Sequence, residues 1–161
     1  MLRTLFTPRR LVACMVITGA FTALGAAWSL AGSQGITQPT VIRTMEVGGV
    51  GKGVDLGAKG NSAGDEAIIY HKLYNHAGTR RLGSVTVICF TVLPKTSTLE
   101  CYSTMHLQDG TVSVAGTYFG SRQINRWAVT GGTGKYQNAR GWMYIAPAPD
   151  GLLYHDLYLL P

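Results

Sequence analysis

Val129-Thr130-Gly131-Gly132-Thr133-Gly134-Lys135-Tyr136-Gln137-Asn138-Ala139-Arg140-Gly141-Trp142 decides how this chain is read. Its glycines and lysine imitate a phosphate-binding loop. Such a loop needs Gly, four residues, Gly-Lys and then a Ser or Thr that reaches magnesium. Here the first glycine would fall at Val129 and the hydroxyl at Tyr136. The dinucleotide fingerprint fails as well, because its third glycine would fall at Gln137. Nucleotide binding is therefore set aside. The flanks, 127–129 and 142–145, read as strands, and glycines so closely spaced allow positive φ in a tight, irregular turn. Gly131, Gly132, Gly134 and Gly141 are accordingly assigned to the structure of a bend between two strands.

Working outward, the same grammar repeats. From residue 67 the chain alternates as strands do, over 67–74, 83–93, 98–107, 111–119, 124–130, 141–146 and 152–160. Turns fall at Ala77-Gly78, Asp109-Gly110, Gly131-Gly132 and Asp150-Gly151. No ten-residue segment there keeps a helical period, and Pro147 and Pro149 interrupt the one helix-tolerant tail. Adding 41–47 makes eight strands. Eight short strands joined by hairpins suit an all-β, antiparallel up-and-down barrel, which leaves no exposed edge. A two-sheet sandwich fits the pattern alone nearly as well.

Residues 1–31 carry the marks of an export leader. Arg3, Arg9 and Arg10 form a basic start, Leu11 to Ala27 is uncharged and largely apolar, and Ser29-Leu30-Ala31 offers small residues for cleavage. The competing reading is an uncleaved anchor, since this run is just long enough to span a bilayer. Arg9-Arg10 invites a twin-arginine route, but Pro8 before it and Leu11-Val12 after it favour general secretion. The expectation is a secreted or extracytoplasmic chain that meets the membrane only through its leader. Three of the 14 basic residues go with that leader, so the formal net charge of +6 falls to +3. That charge, with no basic cluster beyond Arg80-Arg81, speaks against nucleic-acid binding.

After the leader, 32–66 is rich in glycine, with one clear strand at 41–47; residues 67–161 form the main part of the barrel. Gly48-Gly-Val-Gly-Lys-Gly53 again imitates a phosphate loop without the following Ser or Thr, and reads as a flexible surface connection. Cys14 lies in the leader, which leaves Cys89 and Cys101. Both sit at equal distance from a turn centred on Lys95, so they would oppose each other across a hairpin. Opposed Cα atoms there lie roughly 4.5–5.5 Å apart, within disulfide reach, and the bond would contribute about 3 kcal/mol. A zinc site is the weaker reading, for no Cys-x-x-Cys or adjacent histidine accompanies them. No metal, nucleotide or other cofactor is expected.

The run Gly-Gly-Thr-Gly-Lys-Tyr-Gln-Asn-Ala-Arg-Gly at 131–141 closely resembles the signature of the dirigent and allene oxide cyclase-like barrels. Gly64-Asp65 with the strand through Tyr74 resembles that family's opening strand. Ala77 to Gly83 resembles its first turn, and the resemblance covers 64–160. It tips the choice between sandwich and barrel to the barrel. It also implies a secreted protein of bacterial type that binds a small, largely apolar or aromatic molecule and guides its cyclisation or stereoselective coupling. An isomerase-like activity would then come from orientation in a dry pocket, and a homotrimer is implied. The alternative is a non-catalytic ligand-binding or structural cell-surface barrel. One departure stands out: plant dirigents follow the strand histidine with an aspartate, whereas this chain has His71-Lys72-Leu73.

Four histidines remain, and no His-Glu-x-x-His helix or Gly-x-Ser-x-Gly elbow is present. His71 shares a strand face with Ile69 and Leu73, and His106 with Tyr102 and Thr104. Either, if turned into the lumen, would act as general acid or base. Otherwise each is an outer-wall histidine. His76, beside a turn, is expected in solvent. His155 and Asp156 are neighbours on opposite faces, which argues against an acid–base pair. Tyr70, Tyr102 and Tyr144 are candidates for stacking on a ligand, and Arg140 for binding a carboxylate, with bracing of the glycine bend the favoured role for that arginine.

Overall fold

The computed structural model describes residues 38–161; the leader, Cys14 and the start of the glycine-rich segment lie outside them. Eight strands follow one another: β1 (Thr40–Val54), β2 (Glu66–Asn75), β3 (Arg81–Leu93), β4 (Thr98–Leu107), β5 (Gly110–Phe119), β6 (Asn125–Gly132), β7 (Gly141–Pro147) and β8 (Leu153–Leu159). Each pairs antiparallel with the next, and β8 returns to β1 from Thr40↔Leu159 to Met45↔Tyr154. The sheet is thus a closed up-and-down barrel. Closure leaves no unpaired edge, and inward and outward side chains alternate along every strand.

Because the meander is antiparallel, alternate connections gather at the same end. Loops 55–65, 94–97, 120–124 and 148–152 share one end, which we call the open end. Turns 76–80 and 108–109, loop 133–140 and both ends of the described chain share the other, the filled end. Towards the filled end the lumen is plugged by Leu73, Val85, Met105, Val112, Met143 and Leu157, all buried. Burying each such side chain contributes about 1.5–3 kcal/mol.

Two local readings need correction. The glycines at 48–53 are not a loose connection. They continue β1, which pairs with β2 as far as Val54↔Glu66 after a bulge between Val47 and Gly49. Gly48 takes φ +50 at that bulge. Gly49 then lies flat against β2: a Cβ there would stand 2.0 Å from His71 Cδ2 and 2.1 Å from the Tyr70 carbonyl. The glycine serves close approach within a strand, a use that looks like a loop in the sequence.

The late bend is also displaced. Gly131 and Gly132 end β6, opposite Ser113 and Val112 of β5. The chain turns at a 3₁₀ turn, Gly134–Tyr136, and re-enters the sheet at Gly141. Gly134 has φ +60, and a Cβ on it would stand 2.3 Å from the Asp109 carbonyl. Its backbone packs on the β4–β5 turn, with Lys135 N–H donating to Asp109 O at 2.9 Å. No α-helix starts there to offer a dipole to phosphate.

Candidate functional site

Towards the open end the lumen is not filled. A cavity of about 210 Å³ is lined by Glu46, Ile69, His71, Val87, Cys89, Leu99, Cys101, Ser103, Tyr118, Trp127, Ile145, Leu153 and His155, with Gly151 also in its lining. The wall is mostly hydrocarbon, sulfur and one indole. A dry apolar cavity of ~150 Å³ accommodates benzene, so this one has room for a single substituted ring. Trp127 is fixed by its indole N–H, which donates to the Thr117 carbonyl at 3.1 Å. Its ring lies over Gly116, where a Cβ would come within 2.6 Å of Trp127 Cδ1.

The polar part of the lining comes from three strands. Alternation along β2 puts His71 inward between Ile69 and Leu73. β8 presents His155 on the face of Leu153, Leu157 and Leu159, and β1 presents Glu46. His71 Nδ1 and Glu46 Oε2 are 2.7 Å apart. His155 Nε2 lies 3.4 Å from Glu46 Oε1, a looser contact. One carboxylate therefore stands between two imidazoles. The Glu46 and His155 side chains are about 5% and 4% exposed, His71 25%. Burial pushes the His155 imidazole below its ordinary range, against the pull of Glu46 and with the help of His71, which keeps it neutral. Among the described residues no Lys or Arg forms an ion pair with Glu46.

Cys89 and Cys101 form the disulfide, with Cα atoms 4.1 Å apart in a directly opposed pair. Both are buried and belong to the cavity wall. Ser103, one pleat further along β4, is buried with no hydrogen-bond partner for its hydroxyl.

The remaining candidates lie elsewhere. His106 is exposed on the outer wall, 3.5 Å from the Thr86 hydroxyl. It shares that face with Tyr102, which is 55% exposed. The inward set of β4 is Cys101, Ser103 and Met105, so the face carrying His106 is the solvent face. Tyr70 is also outside and exposed. Tyr144 sits in an outer ladder, edge-on to Tyr158, with the Arg126 guanidinium near its ring. Arg140 lines neither the lumen nor the bend's carbonyls. Its Nη2 donates to the Pro161 carbonyl and its own carbonyl accepts from Leu160 N–H, which ties the chain end to the loop. His76 is half-buried rather than free in solvent: it packs against Tyr154 and lies 2.8 Å from Asp156 Oδ1 on the outer wall.

Sequence reasoning missed Glu46 and the inward side of His155. For His155 a signal existed, since it falls on the leucine face of 153–159. For Glu46 none did, because Val41, Met45 and Val47 make the opposite face of β1 look like the buried one. The dirigent-like aspartate position is Lys72, which is exposed. The lumen carboxylate comes instead from the neighbouring strand.

This is the fold of the dirigent and allene oxide cyclase-like barrels. Solved structures similar to this chain include pyocyanin demethylase, 22% identical over 74% of this chain and 99% of that one, with a TM-score of 0.64. A pterocarpan synthase dirigent protein is 18% identical over 77% and 96%, TM-score 0.62. The Diels-Alderase AbmU from Streptomyces koyangensis is 17% identical over 75% and 63%, TM-score 0.59. At these identities the likeness carries the architecture alone. No protein-family model and no curated protein matches the sequence.

Proposed function

We propose that this barrel, after export, binds a small, largely apolar or aromatic molecule in the open half of its lumen and guides its cyclisation or stereoselective coupling. The observation that carries the reading is a largely apolar lumen cavity with a His71–Glu46 pair in its wall. Apolar walls and Trp127 would hold the reactive molecule in one conformation, where orientation lowers the barrier. Glu46 accepts the Nδ1 proton of His71, so Nε2 is free to take a proton from the bound molecule and return it. Solved relatives of the fold include dirigent proteins and Diels-Alderases, which supports a guiding role. The buried disulfide supports export to an oxidising compartment.

Native mass spectrometry of the protein recovered from its own producing cells and medium tests this. A bound small molecule that the wild type converts, and the His71→Ala variant binds without converting, is the expected result. Binding without conversion by either protein would make it a carrier. Recovery of no ligand, with no ring-sized molecule entering the cavity, would end the proposal.

A further inference from the structure

The polar atoms of the cavity are unevenly used. Both Glu46 oxygens face imidazole nitrogens, His71 Nδ1 at 2.7 Å and His155 Nε2 at 3.4 Å. A carboxylate accepts hydrogen bonds and never donates them, so in the neutral form of each imidazole it draws the ring's single proton to the nitrogen beside it. The other nitrogens, His71 Nε2 and His155 Nδ1, are then lone-pair acceptors. Among the described residues neither has a hydrogen-bond partner, and His155 Nδ1 is fully buried. The Ser103 hydroxyl in the same lining is equally unpartnered. Buried polar groups left without partners are costly, and a ligand that supplies the partner recovers that cost. The unmet demand is for a donor, with Ser103 able to give or accept. Among the described residues the ionic neighbours of the buried Glu46 are imidazoles alone, so while these are neutral its carboxylate also sets a negative potential in the lumen.

We infer that the cavity selects a neutral or cationic ligand whose innermost group is an O–H or N–H donor and turns carboxylates away. Glu46 is the positioning residue for this choice, acting through the tautomers of His71 and His155. The group that meets this demand is a ligand O–H or N–H donating to the His71 Nε2 lone pair. The inference rests on the lumen cavity being the ligand site.

A series of single-ring probes at pH 8 tests it: ethylbenzene, benzyl alcohol, benzylamine, benzyl methyl ether and phenylacetate, titrated while the Trp127 indole signal is followed by NMR. Benzyl alcohol and benzylamine are expected to bind roughly tenfold or more tightly than the methyl ether, and phenylacetate not at all. The ether or phenylacetate binding as tightly as the alcohol would overturn the inference. If ethylbenzene binds and no donor preference appears, the cavity remains a ligand site and the donor rule fails. If no probe enters, both fail. Glu46→Gln replaces one acceptor by an amide donor, so the alcohol-to-ether ratio should shrink towards unity; an unchanged ratio would remove Glu46 from its role. Imidazole ¹⁵N shifts of the wild type give a readout independent of that variant's folding. A protonated Nδ1 with a bare Nε2 on His71 is expected, and the reverse would refute the assignment.

Discussion

The two halves of the lumen are built from the same strands and do opposite things. Towards the filled end, Leu73, Val85, Met105, Val112, Met143 and Leu157 close-pack and exclude everything. Towards the open end, the next inward positions include His71, Cys89, Cys101, Ser103 and His155, and they leave a cavity of about 210 Å³. One half supplies the apolar burial that holds the cylinder shut. The other half can then keep a carboxylate, two imidazoles and a hydroxyl in poor solvation, where polar groups are costly but chemically useful. The division lies along single strands: on β2, Leu73 belongs to the plug and His71, two residues earlier, to the cavity.

That division can be broken by substitution. The largest effect is expected at His71. If the guiding function holds, His71→Ala should lower turnover by about 10²- to 10⁴-fold with little change in the denaturation midpoint; equal loss of stability and activity would mean the two halves are not separable. In the plug, Leu73→Ala or Met143→Ala should cost about 2–5 kcal/mol in urea unfolding while ligand affinity in the surviving folded protein stays the same. Removing the disulfide as Cys89→Ala/Cys101→Ala should cost about 3 kcal/mol and also alter ligand size preference, because both residues stand in the cavity wall. A purely thermal effect would place the disulfide with the plug in function.

The smallest effect concerns acid. Burial lowers the His155 pKa from its usual 6.5, so below that value the unfolded chain binds a proton that the folded chain resists. Stability is therefore expected to be full above pH 6.5 and to decline as pH falls through the folded value. The comparison is the melting temperature of wild type and His155→Gln between pH 8 and 5. The variant should show the shallower decline, and parallel curves would show that His155 is not kept neutral by the fold.

How much of this was legible depended on how clean the alternation was. In β4, odd positions from Leu99 to Leu107 are mostly apolar and face the lumen, Cys101, Ser103 and Met105 being buried, so the alternation itself puts His106 and Tyr102 on the outer face. In β8 the leucines at 153, 157 and 159 mark His155 as inward. In β1 the cues ran backwards, because Ile42, Thr44 and Glu46 face in while Arg43, Met45 and Val47 face out. The strand's continuation through Gly48–Gly53 was hidden because glycine carries the same letter whether it loosens a loop or lets a backbone lie against His71.

Local chemistry in the sequence determined the eight strands, their hairpin order and the opposed cysteines, all properties of alternation and turn residues within a few positions. Only closure of the barrel decided the site. Glu46 meets His71 across a bulged ladder and meets His155 because the last strand returns to the first, 109 positions away in the chain. No periodicity in one strand can encode a contact that exists only when the sheet's two ends are joined.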